Sequence, residues 1–194
     1  TPTHVLRCNS EIVTLAFNNK QQNLFGAGCA NGTAVIFDLK ENKILATSRL
    51  EESHSEAISD FVWLKSRNGT EFVTTSTDGK VIWWEIKNYN SNPPLPITIE
   101  PEKPLVLMDK EGEIEKEYGG TKIEYNPEAG ATKFLIGSEQ GTIFVANKKK
   151  NEADIMNKLG FKWGRHLGPV MGMQRCPVQT KFFLTCGDWT SRVI

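Results

Sequence analysis

The sequence predicts an all-β fold built from a repeated unit of short antiparallel strands. Three observations carry that expectation. Residues 71–86 read EFVTTSTDGKVIWWEI, two runs rich in β-branched and aromatic residues on either side of Asp78-Gly79. Asp-Gly in that setting is the strongest short hairpin signal, because a type I′ turn needs φ > 0 at both central residues. The same pattern then recurs. Residues 24–38, LFGAGCANGTAVIFD, turn at Asn31-Gly32, residues 133–147, KFLIGSEQGTIFVAN, turn at Gln140-Gly141, and residues 182–194, FFLTCGDWTSRVI, turn at Asp188-Trp189. Finally, the intervals Gly32 to Gly79 and Gly141 to Trp189 lie close to the roughly 40–45 residues of a four-stranded propeller-blade repeat.

Each hairpin has an upstream strand, at residues 11–17 (EIVTLAF), 57–64 (AISDFVWL), 121–126 (TKIEYN) and 169–175 (PVMGMQR). Alternation is clear where Ile58, Asp60 and Val62 oppose Ser59, Phe61 and Trp63. A fourth strand is expected after each hairpin: residues 43–49, residues 105–109, and a stretch within 155–163. The longer interval between Gly79 and Gly141 holds residues 87–103, KNYNSNPPLPITIEPEK. Rich in Asn and Pro, they read as an insert loop that leaves the sheet and returns. Residues 151–159 offer the only helix candidate, short and poorly patterned. The third strand of the repeat is apolar on both faces, as in Val81, Ile82, Trp83, Trp84 and in Ala34, Val35, Ile36, Phe37. A strand covered on both sides reads this way, and a blade wedged between neighbouring blades is so covered. The expectation is therefore a β-propeller, with blades at about 5–50, 51–109, 110–163 and an incomplete 164–194. A ring typically has 4–8 blades, so these four read as part of a longer one. The first residue is not Met, which reads as an internal segment.

Composition bounds the function. Lys+Arg and Asp+Glu both number 23 in 194 residues, so the formal net charge is zero. That balance argues against a nucleic-acid or acidic-lipid surface. Hydrophobic residues make up 39% and charged residues 24%, ordinary for a soluble globular protein. No apolar run approaches the ~20 residues of a membrane span, and the N-terminus lacks a signal-peptide pattern. Cys8, Cys29, Cys176 and Cys186 form no Cys-x-x-Cys pair, and a reducing compartment is the simpler reading. Cys29 and Cys186 fall in apolar strands, where a free thiol acts as a small hydrophobe. The Asn31 and Asn68 sequons read as turns, since Asn-Gly is itself a turn dipeptide.

Chemistry-bearing residues point to structure rather than catalysis. His54 and His166 each lie four residues before a strand apolar residue, Ile58 and Val170, in the place of the Gly-His of WD repeats. In that family the His bonds a Ser or Thr of the second strand, the turn Asp and the closing Trp. Here the second blade offers His54, Thr75 or Ser76, Asp78 and Trp84, with Thr75 as the hydroxyl chosen. The last blade offers His166, Thr185 and Asp188. Such a chain of hydrogen bonds satisfies groups that burial would otherwise strand. His, Ser and Asp also spell a catalytic triad, but no nucleophile elbow or oxyanion hole accompanies them, so the structural reading is much the better one. Residues 26–32, GAGCANG, have the wrong spacing for a dinucleotide loop, and a strand rather than a helix follows. Lys148, Lys149 and Lys150 read first as a solvated turn and second as a contact for an acidic partner such as tubulin. The alternating Glu111, Glu113, Glu115 and Glu117 read as an exposed connection. Trp163 and Trp189 pack at blade edges or anchor a partner. No cofactor or metal motif is present.

The segments SHSEAISDFVWLKSRNGTEFVTTSTDGKVIWWEI, KFLIGSEQGTIFVANKK and HLGPVMGMQRCPVQTKFFLTCGDWTSRVI together resemble a dynein intermediate chain, closest to the axonemal outer-arm type. The Gly-Asp-Trp-Thr at 187–190, where most WD repeats have Asp-Gly, carries much of that likeness, as does the Gly-Thr-Glu-Phe at 69–72. The likeness spans most of residues 11–194 and is weakest across 87–120. The resemblance implies a non-catalytic scaffold in a WD-repeat propeller. It implies binding to the N-terminal tail of a dynein heavy chain and to a second intermediate chain, with light chains bound outside the propeller. The axonemal microtubule doublet would be reached through the complex, in the cytoplasm and the axoneme of a cilium or flagellum. The alternative is a general WD adaptor, in intraflagellar transport or ubiquitin ligation.

Overall fold

A computed structural model describes residues 5–111, 114–156 and 166–187. Among the described residues, four antiparallel blade-like sheets and one separate hairpin follow one another along the chain. The first comprises β1 (Ile12–Phe17), β2 (Leu24–Cys29), β3 (Ala34–Asp38) and β4 (Lys43–Thr47), paired in chain order. The second comprises β5 (Ile58–Trp63), β6 (Glu71–Ser76), β7 (Lys80–Lys87) and β8 (Thr98–Pro101), with β9 (Leu105–Val106) also on β7. A separate hairpin, β10 (Met108–Glu111) with β11 (Ile114–Glu117), precedes the third sheet. The third comprises β12 (Gly120–Tyr125), β13 (Lys133–Ser138), β14 (Ile143–Asn147) and β15 (Glu152–Ile155), and β16 (Val170–Arg175) with β17 (Phe183–Gly187) forms the fourth. The repeated four-strand meander is that of propeller blades.

The chain divides into two compact units, Thr1–Thr74 with Ile82–Lys103 and Thr75–Val81 with Pro104–Ile194. In the first unit, Ile36, Ile58, Phe61, Trp63, Phe72, Ile82, Trp84 and Ile99 form one buried cluster. Phe61 stacks on Phe72 at 4.6 Å and Phe72 on Trp84 at 6.0 Å. Face-on packing of this kind adds to the area these rings remove from water. In the second unit Leu107, Ile123, Phe134, Ile136, Phe144 and Val170 are buried.

The structure revises four expectations. The turns are not type I′. Gly32, Gly79 and Gly141 have φ of 83°, 78° and 77°, and each donates its N–H to the residue three before it, Cys29, Ser76 and Ser138. Positive φ falls on the glycine alone, which is a type I turn closed by a left-handed residue. Second, the outer strand of the second sheet lies inside the predicted insert. Thr98–Pro101 pairs with Trp84 to Lys87, whereas Leu105–Val106 pairs with Lys80 and Val81 at the other end of β7. Pro101 and Pro104 interrupt the edge between them, where Glu102 N–H donates to Trp83 O at 2.8 Å. Ile99 joins the core and draws the returning loop into the sheet. Third, Glu111, Glu115 and Glu117, expected on an exposed connection, lie in the paired strands β10 and β11, with Glu115 and Glu117 exposed as expected, and Met108 and Asp109, expected in the fourth strand of the second sheet, belong to β10. Fourth, the helix candidate contains β15, since Phe144 to Asn147 offer an unpaired edge that Ile155 to Glu152 completes. Residues 157–159 of that candidate lie outside the described residues.

Two features repeat at equivalent register. Ile12 opposite Cys29, Gly120 opposite Ser138 and Val170 opposite Gly187 each begin a strand with an irregularity two residues on. One strand residue there faces the hairpin of the preceding sheet, and the fit is tight. A Cβ on Gly28 would stand 2.4 Å from Ile58, and a Cβ on Gly137 would stand 2.7 Å from Val170. At the remaining junction the small residue changes sides: a Cβ on Gly120 would stand 2.0 Å from Thr75 Oγ1.

Candidate functional site

Of the residues predicted for the second sheet, His54 and Trp84 come together on one hydroxyl. Trp84 Nε1–H donates to Thr74 Oγ1 at 2.8 Å, and the same oxygen lies 2.8 Å from His54 Nε2. The hydroxyl at the centre is thus Thr74, not Thr75. Side chains alternate along β6, so Thr74 shares a face with Phe72 and reaches Trp84. Thr75 points the other way, against Gly120, with its hydroxyl 3.4 Å from Lys80 O. Because the indole only donates, Thr74 accepts from Trp84, which leaves its own proton for the imidazole. Asp78 holds the turn: Lys80 N–H donates to its Oδ1 at 2.9 Å, and its own N–H donates to Ser76 Oγ at 3.3 Å.

The fourth sheet places His166 Nε2 2.9 Å from Thr185 Oγ1. Gly187 lies under the ring, where a Cβ would meet His166 Nδ1 at 2.6 Å. Asp188, Trp189 and Trp163 lie outside the described residues. Both histidine loops are fastened in the same way. His54 N–H donates to Gly32 O at 3.2 Å and His166 N–H to Gly141 O at 3.1 Å.

These groups are closed to substrate. Thr74 is 0% and His54 2% exposed, and Thr185 and His166 are 2% and 1%. What the arrangement can do chemically is satisfy buried donors and acceptors while tying a loop to a strand. Lys148, Lys149 and Lys150 sit in the tight turn between β14 and β15. Asn147 Oδ1 accepts the N–H of Lys149 at 3.1 Å, and the Lys149 and Lys150 side chains are exposed. Among the described residues no group of three or more His, Cys, Asp or Glu gathers as a metal site. No helix among them is long and apolar enough to cross a membrane.

One pair escaped the sequence reading. Arg175 Nε donates to Glu124 Oε1 at 2.9 Å and a terminal nitrogen to Oε2 at 2.8 Å, a bidentate bridge between β16 and β12. Both side chains are largely buried, at 15% and 7% exposed. The signal was a glutamate between Ile123 and Tyr125, since a charge in such a strand is rarely buried without a partner. In the first unit the equivalent slot is filled differently, by Trp63 Nε1–H donating to Ala16 O at 2.9 Å.

No protein-family profile matches the chain. Over its whole length it is similar to several curated proteins. It is 39% identical over 198 residues to the 70 kDa intermediate chain of the flagellar outer-arm dynein of Chlamydomonas reinhardtii, covering 100% of this chain and 32% of that one. This relative and the next two are named dynein intermediate chains. Ciliary dynein intermediate chain 3 of Heliocidaris crassispina is 35% identical, covering 99% of this chain and 30% of that protein. Axonemal dynein intermediate chain 2 of Homo sapiens is 34% identical, with the same 99% and 30% coverage. The chain therefore spans about a third of the length of these relatives. The intermediate-chain resemblance in the sequence is borne out by them. A chain of the crystallised mitotic checkpoint complex superposes with a TM-score of 0.65 at 13% identity, covering 92% of this chain and 44% of that one. That likeness is one of fold alone, a WD-repeat propeller, whose four-stranded blades the meanders β1–β4, β5–β8 and β12–β15 resemble.

Proposed function

We propose that this chain is a non-catalytic scaffold subunit of an axonemal outer-arm dynein. Its propeller binds the N-terminal tail of the dynein heavy chain and a partner intermediate chain. Light chains bind outside the propeller, and the complex reaches the axonemal microtubule doublet to drive ciliary or flagellar beating. Its places are the cytoplasm, where the complex is assembled, and the axoneme. The carrying observation is similarity along the entire chain to intermediate chains named flagellar, ciliary and axonemal. Burial of the His54 and His166 networks supports a scaffold role, because these polar groups are committed to holding loops. A tagged copy expressed in ciliated cells tests the proposal. Axonemal extracts should yield a dynein heavy chain with it at near-equal stoichiometry. Recovery solely in soluble complexes that lack any heavy chain would overturn it.

A further inference from the structure

The first sheet lacks the polar network of the second and fourth, and two thiols stand in its place. Cys8 precedes Ile12 by the interval at which His54 precedes Ile58 and His166 precedes Val170. Ala27 takes the position of Thr74 and Thr185, and Phe37 that of Trp84. Cys29 opposes Ile12 in the register at which Gly187 opposes Val170. The pair Cys8 and Cys29 is thus the counterpart of His166 and Gly187.

At that counterpart the two positions come close. A Cβ on Gly187 would stand 2.7 Å from the His166 Cβ. A disulfide needs a Cβ···Cβ separation of about 3.8 Å, so two β-carbons at these positions meet after a small opening. In the first sheet Cys8 packs on the cluster of Ala27, Cys29, Val35 and Phe37. Both thiols therefore border one apolar cluster. Cys8 Sγ also donates to Ser10 O at 3.0 Å, which holds its side chain in place. Cys29 is fully buried and Cys8 half-buried, and both are free thiols.

We propose that Cys8 and Cys29 are a redox modification site, forming a reversible disulfide that staples the segment before β1 to β2. The oxidant is a small disulfide such as oxidised glutathione. Cys8, the more accessible thiol, loses its proton and attacks one glutathione sulfur, releasing one reduced glutathione. Cys29 then loses its proton and attacks Cys8 Sγ in that mixed disulfide, releasing the second. In net, two protein S–H bonds and the glutathione S–S bond break, one protein S–S bond and two glutathione S–H bonds form, and two electrons pass from the protein to glutathione. Burial, with the Cys8 thiol beside it, pushes Cys29 up to about 11. The resolving step therefore draws on a minor thiolate and quickens as pH rises.

The test incubates the folded, reduced chain with oxidised glutathione, quenches in acid and maps tryptic peptides by mass. Cleavage after Arg7, Lys20 and Lys40 leaves the two cysteines on separate peptides joined only by the disulfide. The expected product is the chain lighter by two hydrogens, with those two peptides linked, formed faster at pH 8.5 than at pH 7. Cys8→Ser and Cys29→Ala should each abolish it, and the double variant Cys176→Ser with Cys186→Ser should form it normally. Four thiols still open to alkylation after equilibration would overturn the proposal. So would a lasting Cys8–glutathione adduct, or a disulfide that engages Cys176 or Cys186.

Discussion

Replacing Thr74 by valine keeps the shape of the side chain and deletes one oxygen. That oxygen serves two buried partners, Trp84 Nε1 and His54 Nε2, each at 2.8 Å. No water can replace it without opening the cluster of Phe72, Ile82 and Trp84 around it. Leaving a buried donor or acceptor unmatched costs about 1–3 kcal/mol each, so the pair is expected to cost about 2–6 kcal/mol. Native stabilities run at about 5–15 kcal/mol, so the loss is a large share of the whole. With a urea m-value of about 1–3 kcal/mol/M, a 3 kcal/mol loss moves the unfolding midpoint down by about 1–3 M. Tryptophan fluorescence during urea titration of the full chain reads this directly. Thr75→Val is the control. Its hydroxyl makes a longer contact to Lys80 O, so its cost should be nearer the ~1 kcal/mol of one ordinary hydrogen bond. If Thr75→Val lowers the midpoint as much as Thr74→Val, the assignment of the central hydroxyl is refuted.

The two turn glycines Gly32 and Gly79 share a left-handed φ but not their surroundings. Gly79→Ala should cost about 1–2 kcal/mol of backbone strain. Gly32→Ala should cost distinctly more, because its Cβ would lie 2.0 Å from His54 O against 3.4 Å from Tyr118 O at Gly79. Paired thermal melts check the order, and equal losses would contradict it. Arg175→Ala leaves the Glu124 carboxylate buried alone, and about 3–5 kcal/mol should be lost. The double variant Arg175→Met with Glu124→Leu should recover most of that in the same chemical denaturation series, and failure to recover would show that the charges themselves are needed. Cys176 accepts the Gln179 N–H at 3.4 Å, which lowers its pKa below the usual thiol value. At pH 7 iodoacetamide should modify Cys176 before Cys186, as peptide mapping over time would show.

Much of the fold could be read from the residues because two signals agree. Runs such as Val81 to Trp84 are buried on both faces, and the glycines at 32, 79 and 141 supply the left-handed residue each turn needs. The same double burial hid the phase of β6. Val73, Thr74, Thr75 and Ser76 are all 0% exposed, so no polar face tells which threonine looks toward Trp84. Strand β8 was obscured by prolines at 93, 94, 96 and 101, which read as loop although Ile99 packs in the core. The Arg175–Glu124 bridge joins residues far apart in sequence, and its geometry follows only from the register of two strands.

The alternation of glycine with a bulky partner at the sheet junctions has a consequence for how repeats can be rearranged. Gly28 receives Ile58 and Gly137 receives Val170, whereas Thr75 is received by Gly120. Exchange the second and third repeats, and side chain would collide with side chain at one seam while a hollow opened at another. The repeats are alike in outline, but Thr75 needs a glycine in the repeat that follows, whereas Gly28 and Gly137 need a bulky residue there. Their sequence along the chain is therefore written in steric code. A duplicated or shuffled repeat would need its substitutions in pairs, one on each side of the seam.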